Sequence, residues 1–169
     1  MTKDAAVNLT RTAVNAALLV VVDALVFNQG VLAVLVGLWQ LLVALPRALL
    51  VRRLAPQRHA RLRRIALWMA AVVAVLAFNV ASNRLAQSRA DALVVAVKAF
   101  HAQHQRYPKS LQELVPAFVP EVPRAKYTLV FNHFWYSAQG DDAMLFYVAL
   151  PPFGRPTYTF SRGEWGYID

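Results

Sequence analysis

His101 and His104 stand three positions apart, a spacing that on a helix could turn two imidazoles toward one metal ion. No carboxylate or third histidine follows at a matching interval, and His133 is distant in sequence, so a packed or surface pair is expected. Asp23 is the other residue with chemical potential, because it interrupts an apolar run. An ionised carboxylate in hydrocarbon is costly, so such a group either works or is held by a partner. A proton or ion path is one role; a structural or interfacial role, with Arg84 as one conceivable partner, is the expected one. Cysteine is absent, which excludes disulfides, thiolate ligands and thiol nucleophiles. No nucleophile–base pair, phosphate loop or pair of catalytic carboxylates stands out, so neither catalysis nor a cofactor is expected.

Charge shows where these residues sit. Residues 1–85 hold ten basic and two acidic side chains, whereas residues 86–169 hold eight basic and seven acidic ones. Seven arginines are gathered in one connection: Arg47, Arg52, Arg53, Arg58, Arg61, Arg63 and Arg64. Nucleic-acid binding calls for a basic face on a folded domain. Here the charge is wedged between apolar runs, so no nucleic-acid partner is expected, and the positive-inside bias of membrane proteins accounts for it.

The apolar runs are long enough to be spans. "RIALWMAAVVAVLAFNVASN" and "VLAVLVGLWQLLVALPRALLV" each approach the ~20 residues that cross a bilayer. "NLTRTAVNAALLVVVDALVF" reaches that length if Arg11 snorkels, and "FNQG" supplies the turn after it. Three spans are expected, near residues 8–27, 31–50 and 65–84; the alternative is two spans with the first helix lying at the interface. Asn15, Gln40 and Asn79 are candidates for hydrogen bonds between spans. More hydrophobic sequence follows the first run, so no removable signal peptide is expected. Either arrangement places the arginine loop in the cytoplasm and residues 86–169 across the membrane, in the periplasm or outside the cell.

From Asn83 to Arg106 the pattern is helical, with Leu85, Leu93, Val97, Phe100 and His104 near one another on the wheel. No proline or glycine separates this helix from the span before it. Tyr107-Pro108 stops it, and Ser110 with Glu113 has the form of a capping box opening a short helix. Thereafter "KYTLVF", "HFWYSA", "AMLFYVAL", "PTYTF" and "WGYI" carry the aromatic and β-branched character of strands, with "AQGDD" and "SRGE" as hairpin connections. The expected fold is therefore an α-helical transmembrane region followed by a small α+β head, a long helix on an antiparallel sheet of about four strands. Strand alternation should bury about half of ten aromatics, Phe131, Phe134, Trp135, Tyr136, Phe146, Tyr147, Tyr158, Phe160, Trp165 and Tyr167, and the others leave room for a partner surface.

"ADALVVAVKAFHAQHQRYPKSLQELVPAFVPEVP" resembles the head of the type II secretion major pseudopilin and related type IV pilin-like proteins, most strongly over residues 90–123 and loosely to the C-terminus. The resemblance implies a helix, a tyrosine-proline stop, a short Leu-rich helix and an antiparallel sheet. The basic leader, Gly–Phe processing site and early glutamate of that family do not precede Ala90, so fibre incorporation is not expected. Major pseudopilins also bind calcium in a sheet loop, where Asp141 and Asp142 would stand. Two adjacent carboxylates are few for that ion, and solvated turn residues are expected.

Taken together, the expected protein is a multi-pass bacterial inner-membrane protein in contact with lipid, with a periplasmic head. That head would be a non-catalytic accessory module for an envelope protein partner or a second copy, beside a secretion or pilus system. The alternative is a small subunit of a transporter or membrane enzyme, with Asp23 as its working group.

Overall fold

The computed structural model describes residues 3–51, 57–149 and 154–168, and the chain divides into two compact units at Asn79/Val80. In the first unit, α1 (Lys3–Leu19) widens into a π-helical stretch over Val20–Phe27. Next, α2 (Val31–Trp39) passes through a similar stretch at Gln40–Ala44 into α3 (Leu45–Leu50). The long α4 (Arg58–His104) then continues into the second unit. Asn8–Phe27, Val31–Leu50 and α4 are each long and apolar enough to cross a membrane. Asn28 (φ 54°) and Gly30 (φ 73°) turn the chain between the first two stretches, as positive φ in an Asn/Gly pair allows.

A few polar and close contacts fix how these helices run. Arg64 Nε donates to Thr12 Oγ1 at 3.0 Å, and Asn28 Nδ2 donates to Asn79 Oδ1. The two pairs are separated by 52 and 51 residues, so the first stretch runs parallel to α4. At ~1.5 Å per residue, the contact persists for about 24 Å. Gly30 faces Asn79, Gly37 faces Val72, and Arg58 donates to the Leu49 carbonyl. Those pairings fall along one helix as they rise along the other, so α2 and α3 run antiparallel to α4. This is a three-helix arrangement in which the first stretch lies along α4 from Thr12 to Asn28. Ala24, Ala33, Val72 and Val75 form its core, with Phe78 and Val36 packed beside them.

In the second unit, α4 buries the stripe Ala86, Ala90, Leu93, Val97 and Phe100. The stripe differs from the expected wheel at both ends. Leu85 is half-buried and His104 is exposed, its ring stacked on Phe100 at 4.1 Å. α4 ends at His104 because Gln105 takes positive φ (54°), one turn before Pro108, which is itself fully buried. Four strands follow: β1 (Trp135–Gln139), β2 (Asp142–Phe146), β3 (Arg155–Thr159) and β4 (Glu164–Ile168). They pair antiparallel in chain order, so β1 and β4 are the edges. The expected α+β layout of helix and antiparallel sheet is present.

Leu145, Tyr147, Tyr158 and Phe160 meet the α4 stripe in one core. Polar staples join helix to sheet around it. The Trp165 indole N–H donates to Asp91 at 3.0 Å, and the Tyr147 hydroxyl donates to Gln87 at 2.8 Å.

Two local expectations fail. "KYTLVF" is not a strand. The Ala125 N–H bonds the Asn132 carbonyl, Thr128 Oγ1 bonds the Val130 carbonyl and Asn132 Nδ2 bonds the Thr128 carbonyl, closing an irregular loop with Phe131 at φ 57°. Arg89 holds that loop to α4 through the Arg124 carbonyl at 2.7 Å and the Tyr127 ring. The capping box is also absent. Ser110 is extended and makes no side-chain cap, and the segment after it is a single 3₁₀ turn, Leu111–Leu114. Glu113 accepts instead from the Lys109 N–H at 3.1 Å and from Arg106 at 2.9 Å. The carboxylate is drawn one residue further back because a guanidinium waits there.

Candidate functional site

A groove of about 440 Å³ opens in the second unit against the free edge of β1. Trp135 and Tyr136 form its strand wall, Ser110 and Gln112 the 3₁₀ wall, and Pro123 and Arg124 the loop wall. Tyr107-Pro108 positions the 3₁₀ wall: the Tyr107 ring stacks on His101 at 4.2 Å and lies 5.5 Å from Phe160. Strand pairing positions the other wall, because Trp135 and Phe146 are cross-strand partners whose rings stack at 5.5 Å and 4°. His133 lies against Trp135 at 3.9 Å.

The groove's charge is one-sided. Lys109 and Arg124 line it, with the His133 ring beside them, and no carboxylate does among the described residues. The Tyr136 hydroxyl is buried there without a hydrogen-bond partner, and burial pushes its pKa well above the ordinary phenol range. A buried, unpaired hydroxyl costs stability. An open strand edge beside it presents unpaired backbone donors and acceptors.

The residues singled out in sequence go elsewhere. Asp23 is 1% exposed, with Oδ1 accepting from the Gly30 N–H at 2.6 Å and Oδ2 from the Ala33 N–H at 2.8 Å. It thus caps the first turn of α2 from the preceding helix, filling donors that a helix start leaves open. Asn28 and Asn79 join the same polar knot, while Asn15 is exposed and Gln40 buried. His101 and His104 stack on Tyr107 and Phe100, and no group of metal-ligating side chains occurs among the described residues.

Asp142 is fully engaged. It accepts from the Ser161 hydroxyl at 2.7 Å, the Ser161 N–H at 2.9 Å and the Ala143 N–H at 2.7 Å. The Ser161 hydroxyl and amide hold its carboxyl below the usual carboxylate range. Asp141 is exposed in the two-residue turn Gly140-Asp141, whose glycine sits at φ 58°. Arg47, Arg58, Arg61, Arg63 and Arg64 lie at one end of the helical unit; Arg52 and Arg53 lie outside the described residues.

Lys126 was hidden inside the misread "KYTLVF". It is 0% exposed, its ammonium donates to the Ala149 carbonyl at 2.9 Å, and burial lowers its pKa from 10.5 to about 8. The folded chain therefore releases this proton before the unfolded chain does. Below about pH 8 both states hold it, and the buried charge is a standing cost. Stability should rise as pH climbs from about 8 toward 10.5. The expected gain is about 1–3 kcal/mol, seen as the wild-type minus Lys126→Met difference in pH-dependent unfolding of the detergent-solubilised chain. A flat difference would contradict this account.

No family model matches the chain, and neither a curated protein nor a solved structure matches it.

Proposed function

We propose that this protein is a non-catalytic, membrane-embedded interaction module of the bacterial cell envelope, whose second unit grips an extended acidic segment of a partner protein. The groove on the β1 edge carries the reading, since it combines an edge strand with two cationic side chains, Lys109 and Arg124, and no carboxylate among its described lining residues. Membrane embedding is supported by three stretches of sufficient length and apolarity and by large apolar side chains left outward, Leu18, Leu42 and Val73 among them. The arginine-rich connection faces the cytoplasm in this reading, and the second unit faces the periplasm. A long helix followed by a four-stranded meander suits the pilin-like resemblance, and a place beside a type II secretion or type IV pilus assembly is part of the proposal.

Site-specific photocrosslinking in intact cells tests it. A photoreactive residue at Gln112, in the groove, should capture a partner segment rich in Asp and Glu, and the same probe at Arg162 should not. Lys109→Glu with Arg124→Glu should reduce the Gln112 product about tenfold or more, because like charges then face the partner. A product indifferent to that reversal, or equal from Arg162, would refute the groove.

A further inference from the structure

A second cleft, of about 240 Å³, lies in the helical unit between α2–α3 and the start of α4. Arg47, Arg61 and Arg64 line one part; Trp39, Val43 and Trp68 line the rest. No carboxylate lines it among the described residues, where the sole ion pair, Arg106–Glu113, is in the other unit. Arg61 donates from Nη2 to Gln57 at 3.2 Å, and its Nε is buried without a hydrogen-bond partner. Arg64 is oriented by its bond to Thr12. Three guanidiniums that share a cleft and lack a counter-charge repel one another, and a buried, unpaired N–H adds a desolvation cost. An anion relieves both.

The cleft's shape indicates which anion. Arg47 stands two turns from Trp39, about 12 Å along the helix, and Arg64 one turn, about 6 Å, from Trp68. Charge lies at the end of the helical unit and aromatic surface lies further in. Free phosphate would satisfy only the first part; an amphiphile satisfies both. Arginine forks match phosphate oxygens in geometry, and basic pockets between membrane helices take anionic headgroups.

We propose that this cleft binds the phosphate headgroup of one anionic phospholipid of the cytoplasmic leaflet, with Arg47, Arg61 and Arg64 on the phosphate and Trp39 and Trp68 beside the upper acyl chains. The proposal rests on the membrane orientation given above for its leaflet, though not for the cleft itself.

Native mass spectrometry of the delipidated full chain in neutral detergent is the test, with phosphatidylglycerol, phosphatidylcholine and inorganic phosphate as probes. One phosphatidylglycerol should be retained. Arg47→Gln and Arg61→Gln should each weaken it about fivefold, whereas Arg63→Gln, on an exposed residue outside the cleft, should not. Matching melting temperatures would establish that the variants fold. Equal loss in Arg63→Gln would mean diffuse surface adsorption and overturn the site. Phosphatidylcholine binding as tightly as phosphatidylglycerol, or phosphate displacing the lipid at equal concentration, would overturn the assigned ligand.

The cysteine-free chain allows the orientation to be read separately. An impermeant maleimide added outside the inner membrane should label Arg162→Cys and spare Gln57→Cys. The reverse would overturn the leaflet and the periplasmic reading together, while the detergent titration would still report on the cleft.

Discussion

Asp23→Ala should destabilise the helical unit by about 2–5 kcal/mol, the largest effect expected of any single polar substitution here. Both carboxylate oxygens serve backbone N–H groups, those of Gly30 and Ala33, in a site the solvent does not reach. Alanine leaves both donors unpaired and removes the negative charge from the positive end of α2. Asp23→Asn keeps one acceptor and turns an amide N–H₂ toward the other donor, so it should cost less, about 1–3 kcal/mol. Unfolding of the purified chain by graded SDS, followed by circular dichroism, measures both. A wild-type profile for Asp23→Ala would show that the carboxylate is not a cap. The pair also bears on a transport role, in which Asp23→Asn would abolish an activity without moving the unfolding curve.

Leu93→Ala should cost a comparable amount in the second unit, about 2–5 kcal/mol, as truncation of a fully buried leucine does. Leu93 is 0% exposed and sits midway along the α4 stripe, in the same core as Leu145 and Tyr158. Val95, two residues on, is 67% exposed and provides the control. Val95→Ala should change stability by less than about 0.5 kcal/mol. The tyrosine band of the near-ultraviolet circular dichroism reports this unit, which holds all six tyrosines, and Leu93→Ala should lower the midpoint of its loss on heating. Equal midpoints for the two variants would mean that the helix and sheet do not share a cooperative core.

Some of this was legible without coordinates. The apolar stretches and the α4 periodicity depend on residues within a few turns of one another, and so did the hairpin at Gly140-Asp141, where glycine permits the required φ. The β-branched and aromatic runs located the four strands for the same reason. "KYTLVF" has the same composition and is a loop, because a strand exists only if another chain segment is there to pair with it. Composition cannot show whether one is.

The Ser110–Glu113 motif failed for a related reason. Arg106 and the Lys109 N–H compete for the same carboxylate, and the fold places them closer. Likewise four of the ten aromatics noted in the sheet region are buried, while Tyr167 is left at 75% exposure. Alternation alone predicted half inside; only the packed helix decides which.

The sequence by itself determined that the first half holds stretches long and apolar enough to cross a membrane, that a helix continues beyond them and that the end is strand-rich. Each follows from periodicity and length, which are local properties. Only the tertiary structure decided that Asp23 caps the next helix, that Lys126 is buried, that the β1 edge opens onto a cationic groove and that three arginines share one cleft. Those outcomes depend on which distant segments meet. Proximity in space is set by the packing of the whole core, and no single stretch of the chain contains it.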